Sequence, residues 1–142
     1  MKLIFRILLI CIFTSGLTIY ANGQSFKVIV NSLNSINLLT KKQVSNFLLK
    51  KTTRWSNNTK VQPVDLSSHS EVRKIFSKTI HQKSIVQVRS FWQQSVFSGK
   101  ASPPPEIKND NTVINYVKTH NGAIGYVSAN TNTNEVKTIT VK

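Results

Sequence analysis

The spacing of apolar residues changes period several times along this 142-residue chain. In "SFKVIVN" (25–31), Phe26, Val28 and Val30 fall on one face of an extended segment and Ile29 on the other. This predicts a strand buried on both sides, inside a sheet. From residue 40 the period lengthens: Val44, Phe47 and Leu48 follow the helical spacing, Thr40-x-x-Gln43 forms a capping box, and Leu39 and Val44 stand as a hydrophobic staple. The helix should end near Lys50 and Lys51, whose charges suit a helix C-terminus. "KVQPVDL" (60–66) reads as a short second strand that Pro63 pushes toward an edge or a strand start. Ser68-x-x-Glu71 then predicts a helix start, with Val72, Ile75, Phe76 and Ile80 on one stripe. Ser84-x-x-Gln87 opens a third helix that carries Ile85, Val88, Phe91, Trp92 and Val96 inward until Ser98-Gly99 stops it.

"ASPPPE" (101–106) predicts an extended, stiff connection. Asp110 is the expected cap of a fourth helix with Val113, Tyr116 and Val117 inward, ended by Asn121-Gly122 in a left-handed stop. "AIGYVSA" and "VKTITV" are strands separated by the polar turn "NTNTNE". The alternation predicts an α/β domain, a central mixed or parallel sheet flanked by helices.

The N-terminus alters the reading of where the domain begins. Lys2 and Arg6 precede an apolar run from Ile7 to Phe13, and Ala21 and Gly23 are small residues at the −3 and −1 positions of a cut before Gln24. This is the pattern of a signal peptide, residues 1–23, and it predicts a periplasmic or secreted domain over 24–142 with no transmembrane segment after cleavage. The apolar run is well short of the roughly 20 residues needed to span a bilayer. Cys11 is the only cysteine, so the mature chain would hold no disulfide and must rely on its core.

The chain carries a net charge of +14, or +12 once Lys2 and Arg6 are removed. Such a surface draws anions by its long-range field. The basic residues are spread along the chain without interleaved stacking aromatics or a reading motif, which argues against nucleic acid as a partner. His69, His81 and His120 stand far apart, with no H-x-H or H-E-x-x-H spacing, so neither a metal site nor a cofactor is expected. There is no G-x-S-x-G and no cysteine nucleophile in the mature chain. Asp65 and Glu71 are explained as strand-end and capping residues, and the chain reads as a non-enzyme.

"LLTKKQVSNFLLKKTTRW" (38–55), "VQPVDLSSHSEVRKIFSK" (61–78) and "THNGAIGYVSA" (119–129) together resemble, in this order, the second lobe of bacterial periplasmic phosphate-binding proteins, the solute receptors of phosphate uptake transporters. The resemblance implies a single lobe of the type 2 periplasmic-binding-protein fold, where family receptors use two. It also implies a ligand, phosphate or another small oxyanion, and partners, a transporter permease or a protein supplying the second lobe. At the second segment the family pattern is a strand-end arginine, then a Ser-Gly-Thr turn opening a helix. Here Ser70, Arg73 and Phe76 fall on the serine, the downstream basic residue and the core aromatic, with one insertion allowed before Ser70. Asp65 stands where the strand-end arginine is expected, and Glu71 and Val72 replace Gly-Thr.

The expected oxyanion site is therefore Ser68, His69 and Ser70 facing a concavity, with Arg73 reaching its rim. Asn31 and Ser32, at the end of the first strand, are expected to border the same hollow. The competing expectation is an interaction module that keeps the lobe fold, binds no ligand and docks through its basic surface.

Overall fold

In the computed structural model, which describes residues 25–142, the chain order is β1 (Phe26–Val30), β2 (Leu38–Leu39), α1 (Lys41–Leu48), β3 (Gln62–Pro63), β4 (Asp65–Leu66) and α2 (Glu71–Phe76). A π-helical turn, Ser77–His81, continues α2; α3 (Ile85–Phe97), β5 (Glu106–Ile107), α4 (Asp110–Thr119), β6 (Ala123–Ser128) and β7 (Lys137–Val141) follow. The expected signal peptide and its cut lie outside the described residues. Among the described residues no helix is long and apolar enough to cross a membrane.

The main sheet runs β2-β7-β1-β6-β3. It is mixed, as expected: β1 is antiparallel to both β6 and β7, while β2 lies parallel to β7 and β3 parallel to β6. The predicted two-sided burial of the first strand holds, for β1 is central and Phe26, Val28, Ile29 and Val30 are all buried. "KVQPVDL" does not make one strand. Val64 N–H still donates to Ile124 C=O in the main sheet, but Asp65 N–H donates to Pro105 C=O, so the chain changes partner between them. β4 then pairs in parallel with β5, which follows the three prolines. The stiff proline segment thus sets the edge that receives β4.

The predicted capping boxes at Thr40 and Ser84 both form. Two caps are displaced by a residue or two. Ser70, not Ser68, caps α2 by accepting from Arg73 N–H, and Asn109, not Asp110, caps α4. At both places two polar residues able to cap compete, and the cap is the one whose side-chain oxygen reaches the third helical N–H, Ser70 that of Arg73 and Asn109 that of Thr112. Asp110 instead accepts from Ser128 N–H. Ile75 and Val96, expected inward, are exposed, and Ile85 is only partly buried. Their helices bury narrow stripes, Arg73 and Phe76 in α2 and Val88, Trp92 and Ser95 in α3.

The glycines of "NGAIGYV" have a reason other than the expected left-handed stop. Gly99 is the glycine with positive φ, at +68°, whereas α4 ends on His120 in an extended conformation. Gly122 is required by contact: a Cβ there would lie 1.8 Å from Lys60 C=O. At Gly125 it would lie 2.7 Å from Val64 Cγ1. These two close approaches let β3 and α4 pack directly on β6. Trp55, in the loop after α1, packs against Phe47 with ring centroids 4.4 Å apart and the rings tilted by 41°, and donates its indole N–H to Gly122 C=O at 3.0 Å.

Candidate functional site

β4 ends at Leu66, and four residues later α2 begins; the turn between them, Ser67 to Ser70, is the region the sequence singled out. Ser67 N–H donates to Ile107 C=O and Ser70 N–H returns to Ser67 C=O, which closes the turn. His69 N–H reaches Ser67 Oγ at 3.4 Å, and His69 itself is exposed. Ser70 Oγ is occupied as the cap of α2. Ser68 Oγ and the backbone N–H of Ser68 have no acceptor or donor partner among the described residues, and the first N–H groups of α2, at Glu71 and Val72, have no intrahelical acceptor. Glu71 is turned to Lys74, 2.7 Å away on the surface.

Arg73 does not reach a rim. Its side chain is 4% exposed and points into the domain, where Nη1 donates to Asp65 Oδ1 at 2.7 Å and to Leu66 C=O at 2.6 Å. Tyr126, from the middle of β6, donates its hydroxyl to Asp65 and accepts from Leu66 N–H at 3.4 Å. Phe76 lies flat on the Tyr126 ring at 3.6 Å, and Phe26 meets Phe76 edge-on. Burial pushes the Asp65 carboxyl up to about 6, against the pull of Arg73 and the Tyr126 hydroxyl, so the pair is ionised at neutral pH. Burial, reinforced by the charge of Asp65, raises the Tyr126 hydroxyl well above its ordinary value. One donor is left over: Arg73 Nε is buried without a partner among the described residues.

Asn31 and Ser32 are not part of this region, contrary to expectation. β1 and β6 are antiparallel, with Val30 opposite Ile124 and Phe26 opposite Ser128. The end of β1 therefore lies beside the start of β6, while Leu66 contacts Tyr126 toward its other end. Asn31 is buried and structural: Nδ2 donates to Val117 C=O and Lys118 C=O at 3.0 Å each, and Oδ1 accepts from Leu33 N–H. It ties the end of α4 to the end of β1. Ser32 is exposed beyond it. The structure brings together Ser68, His69, Ser70 and, from beneath, Arg73. None of the principal hollows among the described residues is lined by these four, because the arginine expected to form a wall is folded under the turn.

Sequence reasoning missed the buried Asp65–Arg73–Tyr126 network. The signal was present as a lone tyrosine in the otherwise apolar "AIGYV", whose hydroxyl needs a partner when buried. Nearby, His81 is buried against the edge of Phe76 and shares a 2.8 Å hydrogen bond with Ser45 Oγ. Burial, with the charges of Arg73, Lys51 and Lys83, lowers it to about 4, so it is neutral at pH 7. Among the described residues no three His, Cys, Asp or Glu side chains converge as a metal site would require.

No family model and no curated protein matches the sequence. Solved structures do share the fold. An ABC-type phosphate transport receptor from Vibrio cholerae superposes with a TM-score of 0.66 at 17% identity, over 82% of this chain and 46% of that one. PstS from Borrelia burgdorferi gives 0.66 at 14% identity, over 83% of this chain and 47% of that one. The chain spans less than half the length of the proteins whose fold it shares.

Proposed function

We propose that the chain is a solute-binding-type lobe, exported from the cytoplasm, that touches a small oxyanion such as phosphate from one side, at the Ser67–Ser70 turn. A second lobe or a transporter-side partner would close over the other side. The observation that supports this reading is the unused donor set on the turn: Ser68 N–H and Oγ–H with the N–H groups of Glu71 and Val72, at the carboxyl end of a strand, where ligands of open α/β sheets bind. Four such donors at about 1 kcal/mol net apiece amount to about 4 kcal/mol, a dissociation constant of about 1 mM at best. Tight capture requires the missing half.

Calorimetry or phosphorus NMR with phosphate, repeated with sulfate, tests the reading. Saturable binding near the millimolar range that weakens with added salt and with Ser68→Ala is the expected result. Arg73 is unsuitable as a probe of the site because it is a buried strut. The Asp65–Arg73 pair also favours a second reading, since it withdraws the one cation beneath the turn from any ligand. If no oxyanion binds at tens of millimolar, the chain is better read as an interaction module docking an acidic partner.

A further inference from the structure

The longest helix among the described residues is also poorly covered. α3 has 13 residues but buries only Val88, Trp92 and Ser95, the first two in a small cluster with Leu49. Its opposite face carries a second stripe: Val86, Arg89, Gln93, Val96 and Phe97 follow at i, i+3, i+7, i+10 and i+11. A helix face turned to water is ordinarily polar, yet three of these five residues are apolar. Val86 is 65%, Val96 56% and Phe97 96% exposed. They make up half of the six large apolar side chains exposed among the described residues. Exposed apolar side chains gathered in one place mark an interaction surface, whereas scattered ones do not.

The same face is basic. Lys78 and Lys83 stand with Val86 around one hollow, and Arg89 stands with Val96 and Phe97 around the next. From Val72 to Pro105 the chain has six basic residues, Arg73, Lys74, Lys78, Lys83, Arg89 and Lys100, and no acid. Arg73 is buried on Asp65 and Lys74 pairs with Glu71, while the other four are in no ion pair among the described residues. Solubility accounts for the cations, but not for an almost fully exposed phenylalanine among them.

The charge decides what covers this face. A second copy would set the same unpaired cations against one another, so a self-matched contact is repulsive. A folded acidic partner would have to present two apolar pockets about 16 Å apart, the separation of Val86 and Phe97 at 1.5 Å per residue, each ringed by carboxylates. An anionic lipid surface meets both needs at every point, with phosphates for the cations and an acyl boundary for projecting apolar side chains. Phe97, at 96% exposure, projects from the domain rather than filling the hollow beside it. We infer that the outer face of α3 docks on an anionic lipid surface, with Val86, Val96 and Phe97 entering the headgroup layer and Lys78, Lys83 and Arg89 lying among lipid phosphates. The contact is peripheral, and it involves no residue of the Ser67–Ser70 turn, so it does not depend on an oxyanion binding there.

The test is co-sedimentation of the protein with vesicles of phosphatidylcholine containing about one third phosphatidylglycerol, and with phosphatidylcholine alone, at about 0.1 M salt. Saturable binding to the anionic vesicles only is expected. Because the whole chain is basic, variants must separate this face from the general field. Lys78→Gln/Lys83→Gln should weaken binding about tenfold or more. Lys41→Gln/Lys42→Gln, which removes two equally exposed cations from α1, should weaken it less than about threefold. Phe97→Ser should weaken it about fivefold or more with the circular dichroism unchanged, since the side chain packs on almost nothing. Phe97→Trp adds an exposed indole to a chain whose other tryptophans, Trp55 and Trp92, are buried, and its emission should move to shorter wavelength on anionic vesicles. Equal loss in the two double variants, an unshifted emission, or no binding to anionic vesicles, the result that an acidic protein partner would give, would overturn the inference.

Discussion

Arg73→Met is the most informative single substitution, because it decides whether the arginine beneath the serine turn is a strut or a ligand. Its guanidinium lies 2.7 Å from Asp65, with both side chains 4% exposed. At that distance and an effective dielectric of 20, the gross attraction is about 6 kcal/mol, comparable with the several kcal/mol lost in desolvating each ion. The intact pair therefore contributes little net stability, but a broken pair leaves an uncompensated buried charge. Arg73→Met should cost about 3–5 kcal/mol, a large share of the roughly 5–15 kcal/mol that holds a domain folded. Asp65→Leu should cost a similar amount, since it also leaves the Tyr126 hydroxyl without its acceptor. In Asp65→Leu/Arg73→Met no charge is buried, and the double variant should be at least 1 kcal/mol more stable than the sum of the singles predicts, an order of magnitude typical of coupled contacts. Urea unfolding followed by circular dichroism at pH 7.5 measures all four corners of the cycle. An Arg73→Met cost below about 1 kcal/mol, or additivity within about 0.5 kcal/mol, would refute the strut assignment and return Arg73 to the candidate ligands.

Other consequences follow from buried groups. His81 titrates near 4 in the folded chain against 6.5 for the free side chain, so the unfolded state binds more protons between those values and stability is lost as pH falls from about 6.5 to 4. At 1.36 kcal/mol per pH unit the loss is about 3 kcal/mol at most, and it should vanish from urea midpoints of His81→Gln. Asp65 acts in the opposite sense: with a folded value raised to about 6 from 3.8, its contribution is present in acid and lost as pH rises toward 6. Asp65→Asn should therefore steepen the acid destabilisation that His81 causes. Gly122→Ala should destabilise by more than about 3 kcal/mol, and by more than Gly125→Ala, because its Cβ meets the Lys60 carbonyl and not a side-chain methyl. Thermal unfolding by calorimetry ranks the two.

What could be read from the sequence was whatever a local period or cap encodes. The two complete capping boxes, the two-sided burial of β1 and the inward Phe47, Phe76 and Trp92 all appear in the structure. What could not be read depended on direction. Nothing in "SFKVIVN" says that β1 runs antiparallel to β6, yet that alone moves Asn31 and Ser32 to the far end of the strand from Ser68. Nothing in "KVQPVDL" says that the chain changes sheets after Val64, which is what turns Asp65 inward. The orientation of Arg73 was equally hidden. A basic residue in the first turn of a helix ordinarily faces water, and only the inward acid of β4 makes burial tolerable.

The three segments that carry the family resemblance meet at one place in the fold, which shows what the resemblance measures. Trp55 of the first bonds to Gly122 of the third, and Asp65 and Phe76 of the second hold Tyr126 of the third from two sides. These contacts specify how β3, β4 and α2 sit on β6. Packing of this kind is preserved as long as the lobe folds, whatever the site above it does. The residues at the turn differ from the pattern that the resemblance implies: acid stands at the strand end where an arginine is expected, and the base comes from Arg73 one turn into the helix. The result is a neutral internal pair in place of a free cation. An oxyanion at the Ser67–Ser70 turn would then be drawn by the general field of the basic surface and by backbone donors, with no dedicated positive group. For that reason, binding at this turn should be weak and salt-sensitive.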